Sequence, residues 1–239
     1  LLQRRIEFEK AHEPERPRLH PSAVEPLVEL AERYLSYESF PGKAVRVYEE
    51  LRAVAEGETT EDGRPKSIEA SDVYRGFAVR SGIPVFLLRD DHSMKATEVE
   101  AFFRRSIIGQ RPAIERLAQT LCVVKAGLSP PAKPLANFLF VGPTGIGKTE
   151  VAKTLARFLF GGEERLVRFD MSEYMDPYAA ERLIRGSDRD EGELTRKVRQ
   201  QPFCVVLLDE IEKAHPAVFD LLLQVCGEGR LSDARGKTT

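Results

Sequence analysis

Residues 142–149 read GPTGIGKT, with three glycines, a lysine and a threonine at spacings that suit one task, the holding of a polyphosphate. The stretch fits the pattern G-x-x-x-x-G-K-[ST] in full. Backbone N–H groups can wrap a triphosphate only where the chain curls and comes close. Gly142, Gly145 and Gly147 permit that, with Pro143, Thr144 and Ile146 completing the loop. A helix expected to start near Lys148 turns its positive end toward the phosphates. Lys148 reaches the β and γ phosphates, the Thr149 hydroxyl can ligate Mg²⁺, and Glu150 closes the nucleotide-binding run. An ordinary glycine turn between strand and helix would need neither the lysine nor the threonine.

A second run, CVVLLDEIEKAHP at 204–216, supplies the partner chemistry. Its apolar residues make a buried strand, and Asp209 and Glu210 emerge at the carboxyl end, where ligands bind in open α/β sheets. Asp209 suits a direct or water-mediated Mg²⁺ contact, and Glu210 suits polarising the water that attacks the γ phosphate of ATP. Taken alone, the pair could be a solvated strand end; beside a phosphate loop it reads as catalytic. His215 reads as a helix-start or surface histidine.

These residues need a scaffold, and the hydrophobic pattern supplies one. ANFLFV (136–141), RLVRF (165–169) and FCVVLL (203–208) are short apolar runs, each followed by a helical pattern. Alternating strands and helices predict a parallel sheet flanked by helices. Upstream the pattern is helical. In SAVEPLVELAERYL, Val24, Leu27, Val28, Ala31 and Leu35 share a face, and Ser22 and Glu25 have capping-box spacing. After Pro41 a second helix places Ala44, Val47, Tyr48 and Leu51 inward, and Ile114, Leu117, Ala118 and Leu121 form a later stripe. EGETTEDGRPK, at 56–66, reads as a flexible linker, and SGIPV (81–85) breaks the helical run before a proline.

Composition narrows the function. With 36 basic residues against 38 acidic ones, the formal charge is −2, which favours neither a nucleic-acid nor a membrane-surface partner. No apolar run approaches the ~20 residues of a membrane span, and the charged start LLQRRIEFEK is no secretory signal. Cys122, Cys204 and Cys226 lack metal spacing and read as buried free thiols in a reducing cytoplasmic setting.

Several segments together resemble the second ATPase ring of a Clp-type AAA+ unfoldase, the class that includes ClpA, ClpC and ClpB. They are IIGQ (107–110), GPTGIGKTEVAKTLA (142–156), FDMSEY (169–174), VVLLDEIEKAHPAVFDLLLQV (205–225) and GRLSD (229–233). SGIPV resembles the segment that joins the two rings, and RYLSYESFPGKAV (33–45) resembles the helical lid of the first ring. The resemblance implies a lid domain over 1–56, a linker with helices over 57–106, and a P-loop AAA+ domain over 107–239, incomplete at its C-terminus. It implies that Ile107 and Ile108 bracket adenine. It further implies ATP and Mg²⁺ as cofactors, protein substrates, a hexameric ring, and a peptidase or adaptor partner left open. The lid departs from the family's Pro-Asp-Lys at Phe40-Pro41-Gly42-Lys43. The family's sensor, arginine finger and second lid do not occur up to Thr239. The 239-residue chain alone is therefore expected to be monomeric and a weak or inactive ATPase.

One loop breaks the pattern. Where the family carries a Gly-aromatic-Val-Gly loop that grips substrate in the ring's pore, this chain has Arg185-Gly186-Ser187-Asp188-Arg189-Asp190-Glu191-Gly192, with no aromatic. GEGRLSDARGKTT (227–239), the counterpart of a second pore loop, is closer to the family. Three functions stay open: a substrate-remodelling motor, an ATP-controlled assembly ring without general threading, and a DNA-remodelling ATPase, the last disfavoured by the balanced charge.

Overall fold

The structure is a computed structural model that describes residues 2–13, 15–35, 39–56, 66–89, 93–127, 133–184 and 192–228. It divides into two compact units, Leu1–Arg89 and Asp90–Thr239.

The first unit is helical: α1 (Leu2–His12), α2 (Pro21–Tyr34), α3 (Gly42–Ala55), α4 (Ala70–Ser81) and the short α5 (Val85–Leu88). In α3 the expected stripe is the buried one, with Ala44, Val47, Tyr48 and Leu51 inward. In α2 the stripe is rotated: Ala23, Leu27, Leu30 and Ala31 are buried, while Val24, Val28 and Leu35 are only half-buried. Its cap also differs from the expected Ser22–Glu25 box. The helix begins at Pro21, and the His20 ring accepts from the Ser22 N–H at 3.3 Å. Proline at the first helical position lacks an N–H that would otherwise go unpaired.

Helix α4 belongs to this unit rather than to a linker. Val73 and Phe77 are buried in it, and a two-sided backbone link ties its approach to the start of α2 (His20 N to Ile68 O, 2.8 Å; Ile68 N to Arg18 O, 2.7 Å). The expected boundary at residue 57 and the one seen after Arg89 differ for that reason: apolar burial, not polarity of the preceding segment, sets where a unit ends. Residues 57–65 of the expected linker lie outside the described residues.

The second unit holds α6 (Ala96–Arg104), α7 (Arg111–Lys125), α8 (Lys148–Phe160), β1 (Leu166–Asp170), α9 (Ala179–Ile184), α10 (Glu193–Gln200), β2 (Val205–Asp209) and α11 (Pro216–Glu228). Helix α6, placed in the linker by sequence, packs here: Val99 and Phe103 join Ile114, Leu117, Ala118 and Leu121 of α7 and Val151 and Leu155 of α8 in one cluster. The α7 stripe is the expected one.

Strands β1 and β2 pair in parallel, Leu166 with Val205 through Asp170 with Asp209. Because side chains alternate, Arg168, Asp170, Leu207 and Asp209 share one face, and Val167, Phe169, Val206 and Leu208 share the other. Val167 and Phe169 lie in a second cluster with Met171, Tyr174, Leu183, Leu194, Val218 and Leu221, which seats α9, α10 and α11. The run 136–141, expected as a strand, joins no ladder among the described residues, and Leu139 and Val141 are 77% and 83% exposed. An apolar run becomes a strand only where a neighbour takes its N–H and C=O groups.

All three cysteines are free. Cys122 and Cys204 are half-buried and Cys226 is exposed on α11, so the expected burial does not hold for all three. Among the described residues no helix is long and apolar enough to cross a membrane.

Candidate functional site: a phosphate loop and a strand-end acid pair

The loop 142–147 turns into α8 through two glycines in the left-handed region, Gly145 at φ 80° and Gly147 at φ 96°. Any residue with a Cβ would be strained at either place, so the glycines are required by backbone geometry. Gly147 caps α8, whose first residues are Lys148, Thr149 and Glu150. The unpaired N–H groups of that first turn therefore open toward the loop.

The Lys148 ammonium donates to the carbonyls of Gly142 (2.6 Å) and Pro143 (3.0 Å), so it lies over the loop it is expected to serve. The Thr149 hydroxyl faces the Asp209 carboxylate at 3.5 and 3.4 Å from its two oxygens, although the residues are sixty positions apart. Glu150 points along the helix to Arg157. Pro143, Thr144 and Gly145 are exposed, and Ile146 is half-buried with its carbonyl accepting from the Gln110 amide at 3.4 Å. That contact ties the 107–110 segment to the phosphate loop.

Ile107 and Ile108 divide. Ile107 is buried in the α6–α7–α8 cluster, so its side chain is committed to packing, whereas Ile108 is 92% exposed. Gly109 follows at φ 78°, which turns the chain there.

Asp209 and Glu210 stand at the carboxyl end of β2, as the sequence implies, and each carries a cation the sequence reading missed. Arg168 Nη2 lies 2.7 Å from Asp209 Oδ2, and Lys213 Nζ lies 2.5 Å from Glu210 Oε2. The hydrogen bond and charge of Glu210 raise the Lys213 pKa. Glu210 itself adopts φ 54°, the one non-glycine residue at positive φ among those described. A left-handed glutamate costs about 1–2 kcal/mol, a strain that turns it away from the direction of the strand. The signals for these partners were present but non-local or subtle: a charged residue inside the apolar run VRF, and a lysine one turn beyond the glutamate.

Next to Asp209, Asp170 accepts from the Ser172 hydroxyl (2.6 Å) and N–H (3.0 Å), and these bonds lower its pKa. A polar cleft of about 340 Å³ opens there between Arg168, Asp170, Tyr174, Glu193 and Lys197, apart from the phosphate loop.

The donor set fits Mg²⁺. The convergent groups are a hydroxyl and a carboxylate, hard oxygen donors, and the described residues hold no group of three or more His, Cys, Asp or Glu that would cage a metal. Mg²⁺ takes few protein ligands and keeps waters and substrate phosphates.

A glycine loop opening a helix, set against acids at the end of a parallel strand, defines a nucleotide-binding P-loop domain. Residues 133–239 match the AAA domain (Cdc48 subfamily). The ATP-binding subunit ClpC of Staphylococcus aureus is 40% identical over 202 residues, covering 82% of this chain and 24% of that protein. Chaperone protein ClpB 1 of a Nostoc species is 41% identical over 178 residues, covering 72% and 20%. A closed-state reconstruction of Hsp104 with ATPyS and FITC casein superposes at TM-score 0.77 with 30% identity, over 99% of this chain and 42% of that one. The S. cerevisiae Hsp104–ADP complex superposes at 0.73, with 31% identity. The chain belongs to the Clp-type AAA+ family. It spans about a quarter of the length of ClpC.

Proposed function

We propose that this chain is the nucleotide-binding part of an ATP-hydrolysing AAA+ motor that acts on protein substrates as a hexameric ring. The observation that carries the reading is the convergence of Thr149, in the first turn of α8, with Asp209 at the end of β2. In this reading the backbone of Gly142–Gly147 and the Lys148 ammonium neutralise the triphosphate. Thr149 and Asp209 would hold Mg²⁺, which when bound would offset charge building on the phosphates. Glu210 accepts the proton of the attacking water, and it must leave Lys213 or share its second oxygen to do so. Adenine rests on Ile108 and the backbone of 107–109, a segment that the buried side chain of Ile107 anchors.

Relatives of this chain are named as a chaperone and as the ATP-binding subunit of a Clp protease. That kinship supports protein substrates and a cytoplasmic setting, and leaves a peptidase or adaptor partner open. The balanced charge argues against nucleic acid. A second reading, an ATP-controlled assembly ring without general threading, is favoured by the composition of 185–191. That stretch carries three acids and no aromatic, and charged groups resist the desolvation that gripping apolar substrate requires. These residues lie outside the described structure.

The direct test of nucleotide binding is Lys148→Ala. It removes the cation that offsets the β and γ phosphates, and should weaken binding of a fluorescent ATP analogue by at least about 100-fold, the size expected for loss of a close charge pair. Unchanged affinity would remove Lys148 from the site. ATP-dependent unfolding of a neutral tagged protein by the full-length protein separates the two readings.

A further inference from the structure

Asp209 has a partner that the proposed chemistry leaves unassigned. Arg168 stands on the same face of the sheet as Asp209, one strand over and two residues up, and its guanidinium closes the gap to 2.7 Å at Oδ2. The Thr149 hydroxyl, at 3.4–3.5 Å, is at the outer limit of a hydrogen bond. The Asp209 side chain is 17% exposed, so water cannot replace Arg168 freely around it. A carboxylate so enclosed takes its direction from the one strong donor it meets.

We propose that Arg168 is a positioning residue for metal–nucleotide binding. By holding Oδ2 it fixes the plane of the carboxylate, so that both oxygens face the Thr149 hydroxyl and Oδ1, which has no cation on it, stays open to the side on which Mg²⁺ would arrive with the phosphates. The proposal rests on the reading of Thr149 and Asp209 as the metal-facing pair.

Two effects of Arg168 oppose each other, and their sizes decide the sign. Its positive charge repels Mg²⁺, which by itself would make removal of the arginine tighten the metal. The guanidinium is 53% exposed, however, and water and salt screen that longer-range repulsion. The contact to Oδ2 is short, directional and charge-assisted, and is screened far less. Orientation therefore outweighs repulsion, and loss of Arg168 weakens the metal-dependent part of binding.

The test measures affinity of the full chain for a fluorescent, non-hydrolysable ATP analogue, across a Mg²⁺ titration and in EDTA. Arg168→Gln keeps an N–H donor on a shorter, uncharged side chain, and Arg168→Lys keeps the charge but not the fork. For Arg168→Gln, the EDTA affinity should match wild type. Its gain on adding Mg²⁺ should shrink about three- to tenfold, the size of one charge-assisted contact at a half-exposed site. Arg168→Lys should recover part of that gain. An undiminished gain in Arg168→Gln, or a lower Mg²⁺ requirement, would overturn the proposal. So would an equal loss in EDTA, which marks damage to the fold. If wild type bound no analogue, the nucleotide reading would fall and this inference with it; wild-type binding with an unaltered Arg168→Gln response sinks this inference alone.

Discussion

In the first unit the Glu9 carboxylate, on α1, is 6% exposed and meets Tyr48 Oη at 2.5 Å, Arg5 Nε at 2.9 Å and Arg52 Nη1 at 3.1 Å. In the second unit Asp209 and Glu210 each meet one cation at the end of β2, and Glu210 and Lys213 are nearly half-exposed. The first arrangement saturates a carboxylate from α1 with donors from α1 and α3 and shuts water out. The second leaves Glu210 close to solvent with one oxygen free of any cation, and leaves Asp209, though mostly enclosed, with Oδ1 bonded only weakly to the Thr149 hydroxyl. A buried carboxylate with donors on both oxygens, three in all, can hold two helices together but is closed to a metal or an attacking water. One with an oxygen left open to a metal or a water can do either, at small cost to stability. The difference separates fastening from chemistry more sharply than charge count does.

Breaking the fastener should give the largest stability effect. Glu9→Ala leaves the buried Tyr48 hydroxyl without its acceptor and the Arg52 guanidinium with only the longer 3.9 Å contact to Glu13, at a cost of about 3 kcal/mol to the first unit. Chemical denaturation would read the loss, and a cost below about 1 kcal/mol would make Glu9 an ordinary surface acid. Acid should act through the same group. Burial alone would raise the Glu9 pKa, but the hydrogen bonds from Tyr48 and Arg5 and the charges of Arg52 and Arg5 bring it below the ordinary glutamate value. A lowered folded pKa means the contribution is complete above the unfolded value of about 4.3 and is lost as pH falls through the lower folded one. Denaturation midpoints of wild type should thus decline below about pH 4.3, more steeply than those of Glu9→Gln.

A smaller effect should sharpen the comparison inside the second unit, where the rigid point lies away from the acids. At Gly192 a Cβ would stand 2.1 Å from the Ile184 carbonyl carbon, and Thr195 Oγ1 donates to the carbonyls of Ile184 (3.1 Å) and Gly192 (2.8 Å). This closes α9 against α10. Gly192→Ala must push that backbone apart, at about 1–3 kcal/mol, the range for overpacking. A thermal melt within error of wild type would show that the junction yields freely.

What could be read from sequence follows the same division between local and non-local. The phosphate loop was legible because its residues are contiguous and each has one steric or electrostatic reason to be there. The stripes of α3 and α7 were legible because one apolar face dominates each helix. For α2 the period was right but the face was not, since packing selects the small Ala23 and Ala31 and admits Leu30 in place of Val28. The run 136–141 has strand composition, yet pairing depends on a neighbour that composition does not reveal. Arg168 was hidden for a related reason: only the β1–β2 register puts it beside Asp209. Gln110 reaches Ile146 across a gap no motif spans, and the burial of Ile107 follows from how α6, α7 and α8 meet.

The central claim, that the strand-end acids at 209 and 210 perform chemistry while the buried acid at 9 fastens, is tested most directly by a single-turnover assay on Glu210→Gln in the full-length protein. The amide keeps size but cannot take a proton from water. Radiolabelled ATP should therefore bind as in wild type and remain uncleaved, with the cleavage step slowed at least about 100-fold, the lower range for loss of a general base. The melting temperature should stay near that of wild type. Cleavage at the wild-type rate would contradict the account, and a large loss of stability would place Glu210 with the fasteners.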